Sequence, residues 1–355
     1  MKINYKLFFC IACILIVGCK KDSEPDPILN SDLQETILSD ISNHVVLATY
    51  NELRAKGVSL EMMVGNFVAS PTTGGLVSCR QAWKDMRQEW ELSEGFLYGP
   101  VSYLDIDPSI DTWPVNFSSL DSLLASSVVI DSARMESLEF SLKGFHPLEY
   151  MLFGLDGNKS VTDFTARQFE YCQALAQYLK SQSEKVYHTW NPDVTGNYLF
   201  EINHPGQSNS VYSSRRAVFI EIVNALVGIC DEVANGKIEE PLVNQDPSLE
   251  ESPYSGNSIV DFTNNLKSVE NIYFGKYSGD HFGLNELVRA YNTSLDNRIQ
   301  QQLTVSIVSL QAITMPFGEA IIQIPLQLQQ VQANINALKE TLEQELLPLV
   351  QLHGE

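Results

Sequence analysis

The chain has 355 residues, with 23 Lys and Arg against 44 Asp and Glu and a formal net charge of -21. Apolar residues make up 44% and aromatics 10%, a composition that supports a packed core and excludes a disordered chain. The acidity argues against a nucleic-acid backbone and against a polybasic membrane surface, since both need clustered basic residues.

At the start of the chain, Lys2 and Lys6 flank the beginning of an apolar run from Leu7 to Val17. A bilayer-spanning helix needs about 20 apolar residues, so this run reads as the core of a secretory signal. It ends Ile16-Val17-Gly18-Cys19, like a bacterial lipobox in which cleavage precedes the cysteine and lipid is attached to it. The expectation is a signal peptide over 1–18, lipidation at Cys19 and a polar, Pro-containing tether over 19–30. The product is then an exported lipoprotein that touches the membrane through its anchor alone. Lys20, in place of Asp after the cysteine, points to the outer membrane. Cys79, Cys172 and Cys230 remain, an odd number at wide spacings with no disulfide framework.

Beyond the tether the dominant period is helical. Helices are expected over 32–56 and 59–69, then along a face carrying Trp83, Arg87, Trp90, Glu94 and Leu97 until Gly99-Pro100. Residues 100–116 read as an irregular loop. From Asp131 one stripe holds Met135, Leu138, Leu142, Phe145, Glu149 and Leu152, and Gly154 to Lys159 breaks it. A further helix carries Phe169, Cys172, Leu175, Leu179, Val186 and Trp190, followed by a loop over 191–210. Helices resume at 212–236, 258–274, 284–313 and 319–350, with Pro325 kinking the last or marking its start. Ser127 to Ile130 is the best strand signal and is too short to matter. The expected fold is all-α, with two tandem helical bundles over 31–156 and 157–355.

Two polar clusters interrupt this apolar pattern. Arg87 and Glu94 share a face with Trp83 and Trp90, and Glu91 lies one turn beyond Arg87. They read either as a register-fixing internal ion pair or as part of a site. The second cluster is Gly144-Phe145-His146-Pro147-Leu148-Glu149. On a helix, residues three apart project from one face, so His146 and Glu149 can share an ion. Imidazole and carboxylate together suit iron, zinc or copper. The same letters also fit a capping box if the helix restarts at Pro147. His44, His188, His204, His281 and His353 show no acidic partner at helical ligand spacing, and Ser258 with Asp261 reads as a helix start.

Taken together these segments resemble the imelysin family of bacterial exported proteins. The resemblance rests on the GxHxxE element (Gly144, His146, Glu149) and on Trp83, Arg87, Trp90, Glu91, Glu94, Phe96 and Gly99-Pro100 in order. Asp111-Thr112-Trp113-Pro114 and the segment from Glu251 to Phe262 add to it, and the match spans about residues 35–350. Pro147 departs from the family's pattern. The resemblance implies a two-domain helical protein with GxHxxE near the domain interface and a link to bacterial iron uptake. The expected metal ligands are His146 and Glu149, helped by Glu91 or Glu94. Gly144, Trp83, Arg87, Trp90 and Tyr254 are expected around them. Iron or another transition metal is the expected cofactor, and the partner is a metal ion or an iron-containing small ligand, alongside other envelope iron-uptake proteins. A metal-dependent peptidase is the alternative, for which the sequence shows no third zinc ligand and no base. An envelope interaction module without metal is the third reading.

Overall fold

The computed structural model describes residues 27–355, so the signal segment, Cys19 and most of the tether lie outside the described residues. Helix α1 (Pro27–Asp40) begins within the segment read as tether. A π-turn over Ile41–Val46 joins α1 to α2 (Leu47–Ala69) without a break. The expected division near residue 57 is absent for a packing reason. A Cβ on Gly57 would lie 2.6 Å from the Ser183 hydroxyl, so this glycine serves close helix approach and ends nothing.

Helix α3 (Thr73–Glu91) is capped by Thr72, whose side chain accepts the Gly75 amide. It ends at Glu91, earlier than expected. Glu94 therefore lies in a separate 3-10 turn, Glu94–Phe96, and Leu97 follows that turn. The stretch read as an irregular loop carries two short helices, α4 (Pro100–Tyr103) and α5 (Ile106–Asp111). Next come α6 (Phe117–Ala125) and α7 (Ser132–Ser137).

The single stripe expected from Asp131 is broken into α7, a 3-10 turn over Phe140–Leu142, and α8 (Phe145–Phe153). Gly144 sets the second break. Its φ is +98°, and an added Cβ would overlap the Ile110 carbonyl. Met135, Leu142, Phe145, Glu149 and Leu152 are nevertheless all buried, so the apolar spacing reported burial correctly and helix continuity wrongly.

The turn at Gly154–Lys159 leads into α9 (Ala166–Trp190), which packs along α2, as α3 does. Thr165 and Gln168 form a capping box at its start, and Cys172 is a small buried hydrophobe as expected. Within 191–210 lies α10 (Tyr198–Asn203). Helix α11 (Arg215–Asp231) continues through a π-turn over Glu232–Ile238 into α12 (Glu239–Asn244). Then follow α13 (Ser258–Phe274), α14 (Leu284–Tyr291) and α15 (Thr293–Gln311). The Asn292 side chain caps α15 and separates it from α14.

Pro325 marks a true start. It opens α17 (Pro325–Thr341) after α16 (Phe317–Gln323), and a π-turn over Leu342–Leu346 leads to α18 (Leu347–His353). Leu328, Val331, Ile335, Leu338, Leu342 and Leu346 are all buried, each stabilising the fold by about 1.5–3 kcal/mol. Among the described residues there is no strand, only an isolated bridge between Lys276 and Asp280.

One apolar core runs from Ile37 to Val350. Helices α2, α3 and α9 gather at one side of it and α11, α13, α15, α17 and α18 at the other. Helix α13 also packs on α3, and the turn at Glu94–Phe96 touches both α11 and α13. The C-terminal end of α3 is thereby set among elements from both halves of the chain.

Candidate functional site

Trp83, Arg87, Trp90 and Glu91 at the end of α3 have no solvent exposure. A guanidinium without water needs carboxylates, because an unpaired buried charge costs several kcal/mol. Arg87 has them: its Nη2 lies 2.5 Å from Glu91 Oε1 and 2.6 Å from Glu251 Oε1, and its Nη1 contacts Asp111 Oδ1. Asp261 Oδ1 stands 3.9 Å from Nε. Burial disfavours the cation, but Asp111, Glu91, Asp261 and Glu251 outweigh it and hold Arg87 firmly charged.

Helix α8 begins immediately after Gly144, which places His146 and Pro147 in the first turn. There the amide that Pro147 lacks has no intrahelical acceptor in any case, so the proline fits. The capping-box alternative does not form. Glu149 reaches instead to the segment before α13, where its Oε1 accepts the Ser255 amide at 2.7 Å and the Ser255 hydroxyl at 2.6 Å. Its Oε2 makes no hydrogen bond and lies 3.8 Å from His146 Nδ1.

His146 is fully buried, and neither ring nitrogen makes a hydrogen bond of good geometry. Nε2 stands 3.1 Å from Asp111 Oδ1 and 3.9 Å from Glu251 Oε1. Burial opposes the imidazolium, but Asp111 and Glu149 prevail and push its pKa up to about 9. Asp111 itself takes a 2.6 Å bond from Trp90 Nε1 on its other oxygen. Its burial is outweighed by Arg87 and His146, which hold it well below the usual carboxylate range.

The four expected ligands do not all behave alike. His146 and Glu149 meet as the three-residue spacing requires. Glu91 pairs with Arg87 and accepts Asn265 Nδ2 at 2.5 Å. Glu94 has left the helix, yet its carboxylate still converges with those of Glu91 and Asp111 to within 4.8 Å. Glu94 also lines a cavity of about 590 Å³ with Asp107, Glu221 and Glu232, beside α5 and α11. Trp83 Nε1 donates to the Phe145 carbonyl at 3.0 Å and so ties α3 to the start of α8. Tyr254 joins an aromatic wall with Trp113 and Tyr150, and Trp113 packs 5.1 Å from the His146 ring.

The residues that sequence reasoning did not pick out are Asp111, Glu251, Asp261 and Lys237. Asp111, His146 and Glu251 each offer a ligand atom within 4.8 Å of the others. The signal was available, since Asp111 and Glu251 sit inside the two segments that carried the family resemblance. Ser258 and Asp261 do not cap α13, contrary to expectation. Ser258 donates to Glu250 at 2.8 Å, and Asp261 accepts from Ser252 at 2.6 Å and Asn257 at 2.7 Å. Lys237 Nζ lies 3.6 Å from Glu251 and 3.9 Å from Glu91.

Carboxylates therefore outnumber cations here: Glu91, Glu94, Asp111, Glu149, Glu251 and Asp261 face Arg87, Lys237 and His146. Protons make up part of the difference. Burial raises Glu91 to about 8 against the pull of Arg87, and raises Asp261 to about 6. Oxygen and imidazole donors in surplus over fixed cations, with buried atoms on His146 and Glu149 that make no hydrogen bond, fit a borderline or hard metal ion.

An all-α fold with a buried imidazole–carboxylate site at the junction of its helices defines the class. The chain belongs to the imelysin family, whose Imelysin family model matches residues 46–345. It is 31% identical over 315 residues to "Iron-regulated protein A" of Synechococcus elongatus, covering 87% of this chain and 85% of that one. Its fold is similar to the crystal structure assigned as an iron-regulated protein A precursor from Parabacteroides distasonis, with TM-score 0.82 and 24% identity over 94% of this chain and 97% of that one. An imelysin-like protein from Psychrobacter arcticum has TM-score 0.73 and 15% identity, over 90% of this chain and 96% of that one.

Proposed function

We propose that this protein is an envelope lipoprotein, anchored through Cys19 at the outer membrane, that binds iron or an iron-containing ligand in bacterial iron uptake. The observation that carries the reading is the pair of buried groups left without a hydrogen bond, the His146 ring nitrogens and Glu149 Oε2. Buried polar atoms are ordinarily hydrogen-bonded, so groups left open in this way suit a guest ion. His146, Asp111 and Glu251 would hold the ion, with Glu149 beside them, and Arg87 would keep the acidic groups in place. Glu94, whose carboxylate converges with those of Glu91 and Asp111, also borders with Asp107 a cavity that offers room for a ligand. The name of the Synechococcus relative, an iron-regulated protein, supports iron over other metals.

Calorimetric titration of the purified protein with Fe(II), Fe(III), Zn(II) and Cu(II) tests the reading. Binding to the wild type and loss of most of it in His146→Ala and Glu149→Gln is expected. Equal binding by all three proteins would count against it. Chelator-sensitive cleavage of a protein substrate, lost in the same variants, would favour a peptidase instead.

A further inference from the structure

A second group of side chains with metal-ligating atoms lies elsewhere in the fold and shares no residue with the first. His44 does have an acidic partner at helical spacing, because Asp40 stands four residues before it at the junction of α1 and the π-turn. π-Turns within helices are frequent at functional positions. The third member comes from the far half of the chain. His281 sits between α13 and α14, in the loop that contains the bridge between Lys276 and Asp280.

That loop is fastened to the helix. Ser278 donates its amide at 3.3 Å and its hydroxyl at 2.9 Å to the His44 carbonyl. The Phe282 amide donates to Asp40 Oδ2 at 2.9 Å. The loop also closes tightly on itself, with the His281 amide bonded to the Gly275 carbonyl at 3.2 Å. A Cβ on Gly275 would come within 2.6 Å of that segment's backbone, and one on Gly283 would overlap Tyr273 and Gly275.

The two imidazoles lie face to face, with centroids 3.6 Å apart and planes within 2°. Neither ring makes a hydrogen bond to a described residue. One atom from each of Asp40, His44 and His281 falls within 4.8 Å of the others, and all three side chains are half-buried. Asp32 and Glu35 border the same surface as Asp40, so the approach is acidic. Lys276, in the same loop as His281, pairs with Asp280 at 3.7 Å.

We propose that Asp40, His44 and His281 form a second metal site, for one divalent first-row ion of the zinc or copper type. Two imidazoles and one carboxylate are a borderline donor set, and partial exposure leaves room for water ligands. Metal–nitrogen bonds of about 2.0–2.1 Å require each ion to lie near the ring planes. Binding therefore tilts the stacked rings into a V about the ion. The ion would clamp the α1 end of the chain to the loop between α13 and α14.

Protein stripped with a chelator is titrated with Zn(II) alone and its bound zinc counted. The expected result is loss of one equivalent in His281→Gln, with that equivalent retained in His146→Ala. Asp40→Asn, which keeps an acceptor for the Phe282 amide, should bind the same equivalent at least tenfold more weakly. An unchanged melting temperature of the chelated variants checks that their folds persist. Zinc should also raise the melting temperature of wild type more than that of His281→Gln. Zinc uptake that is the same in wild type, His281→Gln and Asp40→Asn overturns the proposal. Loss of zinc in His146→Ala alone overturns it equally, since all binding then belongs to the buried site.

Discussion

Ser255 gives both its backbone amide and its hydroxyl to one oxygen of Glu149, at 2.7 and 2.6 Å, although the two residues are 106 positions apart. This arrangement fixes the carboxylate so that its other oxygen faces the His146 ring. Ser255→Ala keeps the amide bond and removes the hydroxyl. Groups that orient ligands are typically worth 10–100-fold in metal affinity, while one such hydrogen bond is worth about 1 kcal/mol of stability. We expect metal titration of Ser255→Ala to show a loss of about tenfold or more. A fall in stability with unchanged affinity would reduce this bond to a structural tie.

Arg87 makes the opposite kind of prediction, one about folding. Its removal leaves Asp111, Glu91 and Glu251 buried around an empty centre. Breaking a buried pair by deleting one partner costs about 3–5 kcal/mol, so Arg87→Met should lower the urea midpoint sharply. Arg87→Lys should recover little of it. A single ammonium is a point charge and cannot hold three carboxylates in the planar fork that the guanidinium provides.

Gly144 links α8 to α5 through its backbone. At φ +98°, with the Ile110 carbonyl where a Cβ would go, Gly144→Ala combines strain with overlap. A loss of about 3 kcal/mol or more is expected in chemical denaturation. Gly228, in the last turn of α11 where the helical run continues into the π-turn, with nothing near its Cβ position, is the contrasting case. Gly228→Ala should gain about 0.5–1 kcal/mol from helix propensity alone. Similar losses for the two would show that the geometry at Gly144 is not what matters.

Asp107 gives a pH dependence. Burial, aided by the nearby charges of Asp111 and Glu232, pushes its carboxyl up to about 7. In the unfolded chain it ionises near 3.8. Between these values the folded state binds the extra proton, so its contribution to stability falls as pH rises and is constant above the folded value. Asp107→Asn removes the titration. The stability of the variant relative to wild type should therefore grow from pH 4 to pH 7 and then level off, as read by urea unfolding at each pH. A difference that stays flat across this range would refute the assignment.

Much of the molecule was legible because local spacing is set by helix geometry. The stripe through Phe169, Cys172, Leu175, Leu179, Val186 and Trp190 became α9, and Trp83, Arg87 and Trp90 do share a buried face of α3. His146 and Glu149 met because three residues on a helix return to nearly the same face. Reading the same period across Gly144 and past Glu91 failed, since apolar spacing reports burial and is silent about a backbone that must turn.

The sequence by itself determined an all-helical imelysin chain with an imidazole and a carboxylate one turn apart on a buried face. Tertiary structure alone decided what meets them: Asp111 from α5, Glu251 and Ser255 from the segment before α13, and, at the other site, His281 against His44. Those residues are separated by long stretches of chain, and no periodicity encodes such distances. Only the packing of α3, α8 and α13 around a shared core brings their charges together, where the absence of water makes each pairing count.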